Sequence, residues 1–248
     1  NYGKVKKTIP MIEEAREQIK VHTDMYVYNS ASTVLKALLP KEIIQSVEGN
    51  INAIQNNKEY NNMQNVKGLQ NMFRNNWEDV IISEHKNNLY IGKSILELKG
   101  KATEEETYLQ ILKEDSTSRA IYRNISSYED IETVIKQPFT IIASDGYLLD
   151  SKDKQFIHPR SYGTFAKFIK EYINENVMGV EEGLKKITSL PAQAFGMQRK
   201  GFLHTGYDAD ISIFRHGDIK NNDTREYPAQ EATGVKMTIC NGKISYEN

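Results

Sequence analysis

The sequence predicts an α/β protein that ends in a small antiparallel β element, and three observations support this class. Through the middle of the chain, apolar runs typical of strands (80–82, 119–125 and 139–143) alternate with segments of helical periodicity, the pattern of βα units and a parallel sheet. Past residue 201, "DADISIF" and "VKMTICNGKISYEN" alternate apolar and polar residues. Within the second of these stretches, Asn241-Gly242 is a strong signal for a type I′ hairpin turn.

Local signals set the helix boundaries. Apolar residues recur at helical spacing over 9–19, which predicts a helix near the start of the chain. Thr103 and Glu106 have the spacing of a capping box and open a second helix. Ser127 opens another, which must stop before Pro138, directly ahead of the strand 139–143.

Composition narrows the classes of partner. The chain has 248 residues, a net charge of -1, 39% hydrophobic and 26% charged residues, so it lacks the charge excess of proteins that bind nucleic acid or anionic membranes. No apolar run approaches the length of a membrane span. The single cysteine, Cys240, excludes an internal disulfide and favours a reducing, cytoplasmic setting. We expect neither nucleic acid nor a membrane as a partner, and expect Cys240 to be a small apolar core residue.

The most informative stretch follows the strand 139–143, where "SDG" precedes "HPR" by a short loop. Asp145 would lie at the tip of the strand, where a carboxylate can take the proton of an attacking water and pass it to a departing amine. An aspartate before Gly146 is also ordinary turn chemistry, and spacing alone favours the turn. Arg160 can bind a carboxylate through two parallel N–H bonds, or can form a surface ion pair.

Other polar residues also follow predicted strands. Tyr26 and Tyr28 share one face of an extended segment, either as hydroxyl donors to a substrate or as an aromatic core stripe, and Ser32 follows them. Glu84 and His85 end the strand 80–82, but neighbours in an extended chain point apart and would not chelate one ion. We expect both to be exposed.

The number of strands raises a further question about the architecture. A complete (β/α)₈ barrel needs roughly 250 residues and eight strands. Only about four barrel-type strands precede the terminal β element, by the periodicity criteria used for strands. The sheet is therefore either open and small or part of something larger.

Several motifs resemble one family, the N-acyl-D-amino-acid deacylases (D-aminoacylases) of the metal-dependent amidohydrolase superfamily. "NYGK", "DMYVYNSASTVLKALLP" and "IIASDG" with "HPRSYGTF" are similar to segments of that family, and the last pair is its most specific signature. "ITSLPAQAFGM", "GFLHTGYDADISIF" and "ICNGK" are similar to the closing part of many amidohydrolases. Val27 departs from the proline that is usual in the family, and the serines of "NSAS" are placed differently.

The resemblance implies the C-terminal part of a TIM (β/α)₈ barrel of amidohydrolase type, with the C-terminal strands of a small β-sandwich. Residues 1–198 would form the partial barrel, with a lid-like insertion at about 40–76, and residues 199–248 the sandwich portion. The N-terminal half of the barrel would be a missing partner. Because half a barrel leaves strand edges uncovered, the chain alone would self-associate, for example as a homo-oligomer.

The resemblance also implies the chemistry: zinc-dependent hydrolysis of the amide bond of small-molecule N-acyl-D-amino acids, with one or two zinc ions. Asp145 would be the catalytic proton shuttle and a weak metal ligand, the main ligands lying upstream of Asn1. Arg160, Tyr26, Tyr28 and Ser32 would bind the substrate, and His158 would hold the loop through a hydrogen bond. This chain alone would then be inactive.

Two alternatives stay open at this stage. One is another amidohydrolase, dihydroorotase-like or dipeptidase-like, which the closing motifs would suit equally well. The other is a non-catalytic binding protein that retains the fold. The "HPRSYGTF" segment argues for the deacylase.

Overall fold

The structure is a computed structural model that describes residues 2–39, 76–147 and 156–248, and its elements form a mixed α/β protein. Within these residues the α-helices are α1 (Val5–Arg16), α2 (Ile95–Leu98), α3 (Glu104–Glu114), α4 (Tyr128–Ile135), α5 (Arg160–Phe168), α6 (Val180–Ile187) and α7 (Ser189–Ala194). The strands are β1 (Thr23–Met25), β2 (Ala31–Val34), β3 (Val80–Glu84), β4 (Arg119–Tyr122), β5 (Thr140–Ile142), β6 (Ile211–Phe214), β7 (Val235–Cys240) and β8 (Lys243–Glu247). A π-helical segment, Ile169–Asn174, continues α5, and short 3-10 helices cover Leu35–Leu38, Trp77–Asp79, Asn88–Tyr90 and His216–Asp218. No helix in the described ranges has both the length and the apolar character needed to cross a membrane.

The chain divides into two compact units, and the first gathers the described residues within 1–28, 127–149 and 159–248. In this unit β1 and β5 pair in parallel, with Thr23 opposite Thr140 and Met25 opposite Ile142. Strands β6, β7 and β8 form a separate antiparallel sheet in that order. The predicted hairpin is confirmed: β7 and β8 are joined at Asn241, with φ of 50°, and Gly242, with φ of 76°, the positive values that a type I′ turn requires.

The core of the first unit lies among helices α4, α5 and α6, the π-helical segment and strand β5. Its buried side chains are Val27, Tyr28, Ile131, Ile135, Ile142, Ala166, Phe168, Ile169, Tyr172, Ile173, Met178 and Ile219. Lys186 of α6 is also buried, and its Nζ donates to the backbone oxygen of Gln137 at 2.6 Å and contacts that of Thr140 at 3.4 Å. Burial lowers the pKa of this ammonium group. A lysine side chain therefore satisfies backbone carbonyls at the start of β5.

The second unit gathers the described residues within 29–126 and 150–158. Its sheet has the order β2, β4, β3, and both pairings are antiparallel. The predicted capping box is confirmed at the start of α3, where Thr103 and Glu106 each accept a hydrogen bond from the other's backbone N–H. The core is Leu35, Leu39, Trp77, Val80, Ile82, Ile95, Tyr108, Ile111, Leu112, Ala120 and Tyr122.

Three sequence-based predictions are wrong. The parallel sheet holds for β1 and β5, but β3 and β4 pair antiparallel, because two helices rather than one crossover helix lie between them. His85 is buried, with Nδ1 accepting from the Asn87 N–H at 2.9 Å, whereas Glu84 is exposed as expected. Cys240 is exposed, since it lies on the outer hairpin of the terminal sheet.

Two predictions about domains stay predictions. The division into a barrel part and a sandwich part at residue 198 concerns the whole protein's architecture. The lid-like insertion is predicted at about 40–76. Residues 40–75 lie outside those that the structure describes, and only Asn76 of this range is described.

Candidate functional site

The candidate site begins at the end of strand β5, which is buried along its length and delivers Asp145 three residues later. Asp145 has a φ of 47°, a left-handed conformation that aspartate tolerates better than most residues. The next turn packs tightly on helix α5: a Cβ on Gly146 would stand 2.7 Å from the Ser161 Cα. The Tyr147 N–H also donates to Ser161 Oγ at 3.2 Å. The aspartate is therefore presented on a turn whose backbone is fixed against the helix start.

Helix α5 begins at Arg160, whose side chain is buried although its partner is not. Arg160 Nη1 lies 3.0 Å from Asp145 Oδ2, and the two side chains are 6% and 67% exposed, respectively. The guanidinium carbon also lies 4.9 Å from the centre of the Tyr26 ring, within cation–π distance. A buried guanidinium next to an accessible carboxylate is a fixed positive group at the edge of solvent, suited to binding an anion.

Tyr26 completes this group. Its pKa is raised above the usual value chiefly by burial, with the Asp145 charge acting in the same direction. The charge of Arg160 and a hydrogen bond to it act in the opposite direction. The phenol is consequently neutral near physiological pH and keeps a proton that it can donate. We call Tyr26, Asp145 and Arg160 the anion anchor.

The structure gives the remaining predicted residues other surroundings. Tyr28 is buried, and its hydroxyl donates to Asp223 Oδ1 at 2.9 Å. Burial and the Asp223 charge raise the pKa of this phenol. Ser32 belongs to the second unit, on β2 opposite Ile121. His158, in that same unit, is buried with Nε2 2.8 Å from Ser30 Oγ, the hydrogen-bonded loop role predicted for it.

Sequence reasoning missed Asp223. It lies in a polar stretch, "KNNDTREY", whose composition is that of any surface loop. Only the fold brings Asp223 to Tyr28, which is 195 residues away along the chain, and no local sequence pattern predicts this contact. Lys186 was missed for a similar reason, since a lysine in an amphipathic helix is usually solvated.

The described residues do not form a metal centre by themselves. Across the three described ranges, no three or more histidine, cysteine, aspartate or glutamate side chains cluster closely enough to hold an ion. His204 and His216 are both exposed, and their Nδ1 atoms lie 2.8 Å from the Thr205 backbone oxygen and 2.7 Å from Asn174 Oδ1, respectively. Any metal that works with Asp145 would therefore need ligands beyond these residues.

Comparison with known protein families identifies the family of this chain. The profile of the amidohydrolase family matches residues 122–246, which include Asp145 and Arg160. Since this match covers half of the chain, the chain belongs to the amidohydrolase family. Its similarity to D-aminoacylases, predicted from the motifs, is confirmed, and it falls on the C-terminal part of those proteins.

Individual relatives make this similarity specific. The chain is 24% identical over 249 residues to a D-aminoacylase of Alcaligenes xylosoxydans xylosoxydans, covering 98% of this chain and 42% of the relative. A shorter match of 32% identity over 96 residues joins 34% of this chain to 21% of a dihydroorotase of Lactobacillus acidophilus.

One solved structure shows the shared fold. It is an N-acyl-D-glutamate deacylase of Bordetella bronchiseptica complexed with zinc and a phosphonate inhibitor that mimics the tetrahedral intermediate of the reaction. It matches 99% of this chain and 44% of its own length, with a TM-score of 0.74 and 20% identity. The chain thus spans less than half the length of both the D-aminoacylase and the N-acyl-D-glutamate deacylase.

Proposed function

We propose that the protein to which this chain belongs hydrolyses the amide bond of N-acyl-D-amino acids, releasing a carboxylate and a free D-amino acid. The observation that carries the proposal is the anion anchor: a buried Arg160 beside the accessible Asp145 and the neutral Tyr26. An N-acyl amino acid presents the two groups that such a site needs, a free carboxylate and an amide bond. The similarity to D-aminoacylase over nearly the whole chain supports the same substrate class.

Asp145 is the proton-transfer group in this proposal. Its carboxylate takes a proton from water as the water oxygen bonds to the acyl carbon. The same proton then passes to the amide nitrogen as the C–N bond breaks, so that the amine leaves neutral. The exposure of the Asp145 side chain, 67%, leaves its oxygens accessible for both transfers.

Arg160 binds the α-carboxylate of the substrate through paired N–H bonds, and Tyr26 donates a further hydrogen bond from its hydroxyl. Ser32 remains a predicted substrate contact. The hydroxyl of Tyr28, by contrast, already donates to Asp223.

Zinc belongs to the proposal for the whole protein, since the solved relative from Bordetella bronchiseptica holds it. When bound, such an ion polarises the acyl carbonyl and activates water. The described residues supply no cluster to hold it, so its main ligands must come from other parts of the protein, with Asp145 at most a weak ligand. We therefore expect these 248 residues alone to be inactive.

The proposal also covers the architecture of the whole protein, a barrel followed by a small sandwich. The β1–β5 pair with α4, α5 and α6 would be the C-terminal part of a (β/α)₈ barrel, within residues 1–198. The β6–β8 sheet would be the C-terminal part of a small β-sandwich, within residues 199–248. Asp145 would then follow a barrel strand at its carboxyl end, where barrel enzymes carry their catalytic groups.

A second candidate, hydrolysis of a cyclic amide, is favoured by the match to dihydroorotase. Dihydroorotate also carries a carboxylate beside an amide bond, so the anion anchor would suit either substrate. What separates the two functions is the scissile bond, which is linear in one and lies within a ring in the other.

The test is an assay of the full-length, zinc-loaded protein on N-acetyl-D-methionine, N-acetyl-L-methionine and dihydroorotate. We expect turnover of the D-compound and loss of it in Asp145→Asn, with the thermal unfolding temperature kept. Turnover of dihydroorotate alone would refute the deacylase proposal in favour of cyclic amide hydrolysis. Full activity of Asp145→Asn would show that Asp145 is not the proton-transfer group.

The chain in isolation offers a second check. Titration calorimetry of these 248 residues with zinc should show no tight stoichiometric binding, because no described cluster can supply three ligands. A tight one-to-one isotherm would contradict the placement of the ligands elsewhere.

A further inference from the structure

A half-buried hydrogen bond links Tyr28, two residues after Tyr26 of the anion anchor, to a segment that lies far away along the chain. The Tyr28 hydroxyl donates to Asp223 Oδ1 at 2.9 Å, and Asn221 Nδ2 donates to the same oxygen at 3.1 Å. Tyr28 is only 7% exposed, so its hydroxyl has little access to water as a substitute partner. A hydrogen bond from a buried donor to a charged acceptor is among the stronger kinds in proteins.

Helix α5 packs directly on this bond through a glycine. A Cβ at Gly163 would stand 2.8 Å from Asp223 Oδ1 and would overlap the Tyr28 hydroxyl. Any larger side chain at this position would therefore push the helix away or separate the tyrosine from the aspartate. The absence of a side chain allows the helix, the phenol and the carboxylate to meet at one point.

Both halves of the anion anchor are attached to this point. Tyr26 is two residues before Tyr28 on the segment that continues β1, and Arg160 is one turn before Gly163 on α5. The Thr164 hydroxyl donates to the Arg160 backbone oxygen at 2.9 Å, which ties the residue after Gly163 to the first residue of the helix. A shift of either segment would therefore alter the 4.9 Å stacking of Arg160 on Tyr26.

The loop that carries Asp223 is itself restrained. Lys220 and Thr233 exchange two backbone hydrogen bonds of 3.0 Å across its base. Asn222 Nδ2 donates to the Glu231 oxygen at 2.9 Å and to Thr233 Oγ1 at 3.2 Å. Asp223 therefore lies in a loop that hydrogen bonds hold closed at its base, and such a loop can keep Tyr28 and α5 in place.

We propose that Tyr28 and Asp223 form a latch, closed over Gly163, that positions Arg160 and Tyr26 for a substrate carboxylate. Asp223 and Tyr28 are thus positioning residues for carboxylate recognition and do not touch the substrate. The proposal rests on the proposed function, because it assigns a purpose to the anchor only if the anchor binds a carboxylate. It predicts a specific loss: discrimination in favour of the free acid, without loss of proton transfer at Asp145.

The experiment compares N-acetyl-D-methionine with its carboxamide, N-acetyl-D-methioninamide, in the full-length zinc-loaded protein. The readout is the ratio of kcat/KM for the acid to kcat/KM for the amide. In Tyr28→Phe and Asp223→Ala we expect this ratio to fall roughly tenfold, the value of one charge-assisted hydrogen bond. The change should lie in KM for the acid, with KM for the amide unaltered. Asp223→Asn, which keeps an acceptor oxygen, should recover part of the ratio.

Matched controls separate the latch from general destabilisation. Tyr90→Phe removes another tyrosine–carboxylate contact, the 3.4 Å one to Glu114, and should leave the ratio unchanged. Gly163→Ala should lower the ratio as Tyr28→Phe does, whereas Gly179→Ala, where a Cβ meets nothing within 4 Å, should not.

The outcomes distinguish the two levels of the proposal. If Arg160→Met lowers the ratio but Tyr28→Phe and Asp223→Ala leave it at the wild-type value, the latch is refuted and the proposed function stands. If the wild-type protein does not prefer the acid, or Arg160→Met retains that preference, the anchor itself fails, and the latch fails with it. Equal losses of kcat/KM for both compounds in the latch variants would show a merely structural bond and would also refute the latch.

Discussion

Asp145→Asn should greatly reduce turnover and at the same time tighten substrate binding. In the structure Asp145 forms an ion pair with Arg160, with 3.0 Å between Asp145 Oδ2 and Arg160 Nη1. A substrate carboxylate that binds the same guanidinium must displace that oxygen and approach a like charge. Asparagine removes the charge and the competition, and it accepts the left-handed backbone, φ 47°, that this position requires.

The magnitude follows from the exposure of the two partners. Because Asp145 is 67% exposed, its ion pair has about the strength of a surface pair, up to about 1 kcal/mol, with the buried guanidinium favouring the upper end. A release of about 1 kcal/mol corresponds to a roughly fivefold lower Kd for the acid. Loss of proton transfer should reduce kcat by about 10² to 10⁴.

Calorimetric titration of N-acetyl-D-methionine into metal-depleted full-length protein measures the binding effect, since no turnover consumes the ligand. Asp208→Asn is the control, since it makes the same change at an aspartate whose partners are other residues: Arg199 Nη2 at 2.8 Å and Lys200 Nζ at 3.1 Å. Weaker binding in Asp145→Asn than in the wild type, with Asp208→Asn unchanged, would refute the competition between Asp145 and the substrate for Arg160.

Three further predictions concern stability. Thr103→Ala should lower the free energy of unfolding by about 1 kcal/mol in urea denaturation, because it removes the cap of α3, and no change would contradict that. Lys186→Met should cost about 1–3 kcal/mol in the same assay by leaving buried carbonyls without a donor, and a neutral result would show that water replaces the ammonium. Burial raises the pKa of Tyr28, Tyr122 and Tyr172, so the unfolded chain loses these protons first as pH rises. Stability should therefore be intact below about pH 10 and fall above it by about 1.4 kcal/mol per pH unit for each phenol, and equal stability at about pH 9.5 and 11 would contradict this.

Features decided by neighbouring residues could be predicted from the sequence. The capping box of Thr103, the helix start at Ser127 and the turn at Asn241 all depend on contacts within a few residues, and all three are present. Asp145 and Arg160 were singled out by motif, and the fold brings them together.

Features decided by distant contacts could not be predicted. The direction of β4 depends on how two intervening helices return the chain, and the burial of His85 depends on packing against α3. The partner of Tyr28 is an aspartate in a loop of ordinary polar composition. Periodicity measures which face of an element is apolar, and it contains no information on which distant group will meet that face.

The anchor has a consequence for how the protein is made. Tyr26 and Asp145 belong to one unit, yet the greater part of the second unit lies between them in the chain. During synthesis β1 must therefore wait, with an unpaired edge, until β5 emerges, and only then can the parallel pair form. Closing so long a loop costs little more entropy than closing a shorter one, since the entropic cost of loop closure grows only with the logarithm of loop length. The excursion between β1 and β5 can thus change in length over evolution at small thermodynamic cost, while the anchor cannot assemble until β5 and the start of α5 have been synthesised.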